Sequence, residues 1–423
     1  MQEVQEKLLE EILDSENLNL AYKRVKANKG SHGVDGMKVD ELLPYLIKHG
    51  KEIKQSILEG KYTPQPVRRV EIPKPDGGVR LLGIPTVLDR MIQQAIAQVL
   101  NRIFDPSFSK SSYGFRPGKG AHQAIMAARE HIKQGNNWVV DIDLEKFFDK
   151  VNHDKLMSLV ARKVRDKRVL KLIRKYLESG IMLNGVKVKN EEGTPQGGPL
   201  SPLLANIMLD ELDKELERRG HKFCRYADDC NIYVKSKKAG QRVMESITRY
   251  IEQELKLKVN KNKSAVDRPS KRKFLGFSFY IKGGEVRNFI HKKPIERFKD
   301  KVRAITSRSN GRSMEWRKEK LNQLITGWVN YFKIADMKNT ARELDGWIRR
   351  RLRMCYWKQW KKVKTKHDNL VRLGINDVKA WEYANTRKGY WRISNSQILA
   401  TSITNEYLEK EGFLSLTKRL SMA

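Results

Sequence analysis

Cysteine is scarce. Cys224, Cys230 and Cys355 are the only three in 423 residues, with no CxxC pair and no Cys/His cluster, which excludes a disulfide framework and a zinc module and leaves reduced thiols, at least two of them in cores. Long apolar runs are missing as well. No stretch is long enough to span a bilayer, and no basic, apolar leader opens the sequence, so the expectation is a soluble protein of the cell interior with no membrane partner. Internal repeats and low-complexity tracts are also absent, so domain boundaries must come from composition and from Pro/Gly punctuation. Of the two signs of charge, the negative one is short: Asp plus Glu number 50 against 85 Lys plus Arg, a formal net charge of +35. Such an excess makes a polyanion the economical partner, with nucleic acid ahead of an anionic membrane surface. A hydrophobic content of 39% over this length supplies a sizeable core without metal or disulfide staples.

Residues 1–60 alternate helical stretches with one glycine-rich turn, "NKGSHGVDG" (28–36). Next, "RRVEIPKPDGGVRLLGIP" (68–85) reads as two short β runs joined at "KPDGG", a hairpin signature. Residues 86–135 return to helix, broken by "SYGFRPGKG" (112–120). From 136 to 285 apolar strands alternate with amphipathic helices, which predicts an α+β domain. Past residue 286 strand signals fade, and seven of the eight tryptophans lie beyond residue 300. Between Asn288 and Lys366, 23 Lys/Arg face 7 Asp/Glu, a local net charge of +16. Within that helical region Leu344, Ile348, Leu352 and Cys355 fall on one stripe, which leaves Arg349, Arg350 and Arg353 for a face that meets nucleic-acid phosphate.

The chemistry concentrates in two acidic strand ends. In "RYADDCNIYV" (225–234) two β runs flank a tight turn, so Asp228 and Asp229 stand at a hairpin tip where their charges repel and call for a cation. In "WVVDIDLEKFFDKV" (138–151) an apolar strand leads to Asp143, with Asp141 two residues earlier on the same face, so that either carboxylate remains a candidate. Hard oxygen donors on a rigid hairpin suit Mg²⁺, which binds few carboxylates and fills its sphere with water and phosphate oxygens. Two such ions about 3.5–4 Å apart serve in-line phosphoryl displacement. A third element, "EGTPQGGPLSPLLANIMLDELDKELERRG" (192–220), predicts a helix with Ser201 and Pro202 as cap and first turn and Gly220 as its end. The "QGGP" ahead of it lets the backbone approach a ligand.

In order along the chain, "IPKPDGGVRLLGIPTVLDR", "SYGFRPG", "DIDLEKFFD", "TPQGGPLSPLLANI", "YADD", "LKLKVNKNKSAV" and "FLGFSF" resemble the successive reverse-transcriptase blocks of group II intron-encoded proteins. "GWVNYF" (327–332) and "WIRRRLR" (347–353) extend the resemblance into the thumb, or maturase, region. It implies a right-hand polymerase with an N-terminal extension (1–60), fingers and palm with an antiparallel sheet (61–285), an α-helical thumb (286–365) and a small DNA-binding domain (366–423). Carried over by residue, it implies Asp143, Asp228 and Asp229 as catalytic metal ligands, with Asp228 the closer one, and Phe148 as the aromatic gate beneath the incoming sugar. Lys74 and Arg80 would meet the triphosphate and Gln196 the sugar and base, while residues 23–36 would close over template and primer.

The implied partners are an RNA template with a DNA or RNA primer, dNTPs, intron RNA and target DNA, in the bacterial cytoplasm, with two Mg²⁺ ions as cofactor. Because 366–423 contains His367 alone and no cysteine, the resemblance is to the short class without an endonuclease domain. Two alternatives stay open: a splicing-only RNA-binding maturase, and a reverse transcriptase serving repair or defence. Trp381, Tyr390 and Trp391 offer faces for stacking on bases, with the core of a small C-terminal domain the reading kept ahead.

Overall fold

The computed structural model describes residues 7–73, 77–183, 186–188, 193 and 197–422, with Arg80, Leu183 and residues 186–188 described through their backbone alone. Ten strands occur among them: β1 (Val67–Pro73), β2 (Val79–Ile84), β3 (Trp138–Ile142), β4 (Ile181–Leu183), β5 (Val186–Val188), β6 (Lys222–Tyr226), β7 (Asp229–Val234), β8 (Ala265–Asp267), β9 (Phe277–Lys282) and β10 (Glu285–Ile290). The chain divides after Arg272 into two compact units. No helix among the described residues is long and apolar enough to cross a membrane.

The first unit holds two sheets. One has the order β2-β1-β4-β5, and its β1–β2 pair is the expected hairpin, in antiparallel register from Arg68↔Ile84 to Pro73↔Val79. Its base is fixed by a buried carboxylate: Asp89 accepts from Tyr62 Oη at 2.7 Å, Thr86 Oγ1 at 2.8 Å and Gln65 N at 3.1 Å. Thr86 in turn caps the helix Val87–Phe104, so one side chain joins strand entry, cap and helix. The other sheet, β6-β7-β3-β8, is wholly antiparallel. Alternation along β3 and β7 puts Val140, Ile142, Cys230 and Ile232 on one face, all at most 2% exposed. Full burial of each Ile or Val stabilises the fold by about 1.5–3 kcal/mol. The helix Lys237–Gln253 lies on that face so closely that a Cβ at Gly240 would meet Val266 Cγ1 at 2.5 Å.

The helix Ser201–Arg218 starts one residue earlier than the cap reading predicts: Ser201 is its first helical residue and Leu200 the cap, without a side-chain bond. Its end matches the expectation. Gly220 (φ 72°) donates to Glu217 O at 2.9 Å and His221 to Leu216 O at 2.9 Å, a Schellman closure that favours glycine.

In the second unit β9 and β10 form a hairpin, followed by helices Lys292–Ile305, Met314–Phe332 and Lys338–Gln359. Aromatic residues supply much of the core, with Phe298–Trp328, Trp328–Phe332 and Phe277–Phe332 centroids 4.7, 5.0 and 5.1 Å apart. Leu344, Ile348, Leu352 and Cys355 are buried as the stripe predicts, and all three cysteines are free and buried. Asp345, also buried, caps the last helix by accepting from Leu416 N at 2.7 Å and Thr417 N at 3.0 Å.

Candidate active site

The paired strands β3 and β7 build the acidic centre. Their ladder ends at Ile142↔Cys230, and one residue further it brings Asp143 opposite Asp229, on the face that also carries Asp141 and Asn231. Asp229 and Asp143 are half-buried, and Asp228 is exposed at the tip of the β6–β7 hairpin. The backbone of Asp143 is fixed on both sides: its N–H donates to Ser264 Oγ at 3.0 Å, and its carbonyl accepts from Asn260 N at 2.8 Å. Both partners come from "NKNKS", a segment whose structural use the sequence reading missed.

The turn itself is strained. Ala227, before the two aspartates, has φ 57°, a conformation that costs a residue with a Cβ about 1–2 kcal/mol. Strain of this kind persists where the surroundings over-determine it, and it clusters at functional sites.

Asp141, the open alternative, is engaged elsewhere. Arg272 donates to Asp141 Oδ2 through Nε at 2.9 Å and through Nη2, and Nη2 also reaches Lys263 O at 2.8 Å. Among the described residues no three His, Cys, Asp or Glu side chains gather closely enough to form a protein metal cage. Few carboxylates with hard oxygen atoms, one of them exposed, fit a cation that keeps water and phosphate oxygens as its other ligands, as Mg²⁺ does.

Phe148 stands in the one-turn helix Phe147–Lys150, edge-on to the buried Phe147 with centroids 5.1 Å apart. It lines a cavity of about 440 Å³ together with Val25, Asn28, Arg90, Phe115, Gly197 and Gly198. The "QGGP" glycines also meet the chain itself. A Cβ at Gly197 (φ 131°) would meet the backbone Gly83 O at 2.6 Å, so glycine is required there, whereas one at Gly198 would meet only the end of the Gln93 side chain, with Oε1 at 2.3 Å. Lys74 and Gln196 lie outside the described residues. Arg80 pairs with Ile72 across the β1–β2 hairpin.

The N-terminal loop is pinned beside this cavity. Arg68 donates to His32 O through Nε at 3.1 Å and Nη2 at 2.9 Å, and Arg90 Nη2 donates to Ser31 O at 2.6 Å. Arg90 is 9% exposed, its Nε has no hydrogen-bond partner among the described residues, and burial pulls its pKa down. Sequence reading passed over Arg90 and Phe115. The available signals were an arginine among the apolar positions of the helix Val87–Phe104, and an aromatic residue between turn glycines.

In the second unit Arg350 and Arg353 meet the C-terminal segment. Arg350 lies 3.9 Å over the Trp391 ring and donates to Trp391 O at 3.0 Å, while Arg353 Nε donates to Ile403 O at 2.9 Å. Arg349 is half-buried on the same helix. Trp381 and Trp391 do not form a core: they stay 42% and 38% exposed, with Trp381 stacked on His367 at 4.0 Å.

Comparison with known proteins gives a consistent family. Residues 72–279 match the family "Reverse transcriptase (RNA-dependent DNA polymerase)" and residues 295–374 match "Group II intron, maturase-specific domain". The chain is 34% identical over 301 residues to Protein YkfC of Escherichia coli K12, covering 62% of this chain and 79% of that protein. It is 31% identical over 329 residues to the Group II intron-encoded protein LtrA of Lactococcus lactis subsp. cremoris, covering 62% of this chain and 55% of LtrA, so it spans about half of that relative. A chain of the solved Cas6-RT-Cas1--Cas2 complex aligns at 26% identity and TM-score 0.38, covering 58% of this chain and 43% of that one.

Proposed function

This chain belongs to the group II intron reverse transcriptase and maturase family, a lineage of RNA-directed DNA polymerases, and on that premise we propose that it extends a primer 3′-hydroxyl with deoxynucleotides on an RNA template. The observation that carries the reading is the β3–β7 register, which sets Asp143 beside the Asp228–Asp229 turn. In this reading Asp143 and Asp228 are the metal-binding carboxylates and Asp229 assists them. Two bound Mg²⁺ ions would supply the Lewis acidity that eases deprotonation of the 3′-hydroxyl and neutralises the leaving pyrophosphate. Phe148 packs under the incoming sugar and excludes a 2′-hydroxyl, Lys74 and Arg80 bind the triphosphate, and Gln196 meets the sugar and base. Residues 61–285 act as fingers and palm, 286–365 as thumb and 366–423 as the DNA-binding part. The basic helices of the second unit, Arg349, Arg350 and Arg353 included, bind intron RNA, target DNA and the template duplex by backbone and shape. The work is done in the bacterial cytoplasm.

The test is dTTP incorporation on poly(rA) with an oligo(dT) primer, by the parent and by Asp143→Asn and Asp228→Asn. Incorporation by the parent with Mg²⁺, and none with EDTA or in either variant, is the expected result. A folded, RNA-binding parent that incorporates nothing would overturn the polymerase reading and leave the splicing-only one.

A further inference from the structure

We propose that Arg225 is a positioning residue for this reaction, which holds the Ala227–Asp228 turn in the strained form that presents the two carboxylates. The proposal rests on the polymerase reading above for its catalytic consequence, and on geometry alone for the turn.

Arg225 is the buried charge of β6. Phe223 and Cys224 beside it are core residues, and Arg225 itself is 0% exposed. A buried guanidinium is tolerated only when its charge is paired and its donors are used, and here all five N–H groups are. Nε and Nη2 grip Asp213 of the helix Ser201–Arg218 at 2.7 and 2.6 Å, and Nη2 also reaches Ser112 Oγ at 2.8 Å. Nη1 donates to Asn206 Oδ1 at 3.0 Å and to Ala227 O at 2.9 Å. Burial disfavours charge on both partners and pushes the Asp213 carboxyl up, while the charge and paired hydrogen bonds of Asp213 hold the Arg225 pKa above its ordinary value.

The remaining contacts close a ring around the turn. Asn206 Nδ2 donates to Gly114 O at 2.9 Å, and Gly114 lies so near the turn that a Cβ there would stand 2.3 Å from Ala227 N. Arg225 N donates to Ser111 O, and its carbonyl accepts from Tyr113 N, both at 2.9 Å, so the "SYGFRPG" loop is tied to β6 by a single parallel bridge at Ser112. One side chain therefore joins that loop, the helix and the turn. Only a planar fork of five donors reaches all of them, and lysine does not.

A purely structural pair and a positioning pair respond differently to replacement. Exchanging a buried ion pair for apolar side chains of similar volume is often neutral for stability, but it removes the bond to Ala227 O. The experiment compares the full-length parent with the double variant Arg225→Met/Asp213→Leu by thermal melting, by hydrogen exchange of the peptide Cys224–Ile232 and by single-nucleotide incorporation. The expected result is a cooperative melt near the parent's, faster exchange in the turn, and a kcat lower by about 10²-fold with the nucleotide KM little changed, because a displacement of about 1 Å at reacting groups has that cost. A folded double variant with the parent's exchange and kcat overturns the proposal. Should it not fold, Arg225→Lys, which keeps a charge beside Asp213, carries the same two readouts and the same refutation. An inactive parent would count against the polymerase reading, and the exchange comparison would still decide whether Arg225 holds the turn.

Discussion

Substituting Gly114 by alanine adds one methyl group at the point where the loop meets the acidic turn. The added Cβ would stand 2.3 Å from Ala227 N, 2.9 Å from Tyr226 C and 3.2 Å from Ala227 Cα. All three are backbone atoms that no rotamer change can move aside, and the shortest is about 1 Å inside ordinary contact. Either the loop or the turn must therefore shift by about that much. Overpacking of this kind costs about 1–3 kcal/mol of stability, a few degrees in melting temperature for a unit of this size, so the variant should remain folded at 25 °C. Catalysis should suffer more, because a misplacement near 1 Å costs on the order of 10²-fold in rate. Single-turnover incorporation on a saturating RNA template with a DNA primer isolates that step, and primer-template affinity should stay close to the parent's. A folded Gly114→Ala enzyme with the parent's single-turnover rate would refute the argument that this contact sets the turn.

Phe115→Gly should separate stability from function: Phe115 has φ 56° and is 53% exposed, so glycine relieves strain at little loss of burial, and melting should not fall. The same change removes an aromatic wall of the Phe148 cavity, and the nucleotide KM should rise several-fold; a lower melting temperature with unchanged KM would contradict this. Asp141→Asn weakens the Arg272 pair and should cost about 1 kcal/mol, read as a small drop in melting temperature, while Mg²⁺-dependent incorporation survives; loss of metal dependence would restore Asp141 to the metal site. The hydrogen bond from Arg218, with Arg219 behind it, pulls the Glu215 carboxyl down to about 2 from 4.5. That depressed value contributes stability in full above the ordinary carboxylate range and loses it as pH falls through about 2. The melting-temperature gap between parent and Glu215→Gln should therefore be constant above about pH 5 and narrow below it, and a gap that widens in acid would show the wrong sign.

Much of the fold was legible because it is written in local pattern. The β1–β2 hairpin follows from two β runs around "KPDGG", the Schellman end from Gly220, and the buried stripe of Lys338–Gln359 from its helical period. Elsewhere the structure added what local pattern does not show. Ser201 reads as a cap, but the chain enters the helix one residue earlier in helical form. "QGGP" reads as a loop that approaches a ligand, and the chain adds a constraint of its own, since a Cβ at Gly197 would meet the backbone of the sequence-distant Gly83. Arg350 and Arg353 read as lying on a phosphate-facing side, and the returning C-terminal segment also gives them ring and carbonyl partners.

Composition and local pattern by themselves pointed to a polyanionic partner, an α+β domain and two acidic strand ends, because net charge, alternation and turn chemistry are properties of neighbouring residues, while the antiparallel palm sheet came from the family resemblance. Only the tertiary structure decided which carboxylates share a face, that Asp141 pairs with Arg272, and that a buried arginine on β6 grips the strained turn. Those outcomes depend on register and on contacts between segments as much as 131 residues apart, a separation over which no local pattern constrains a side chain.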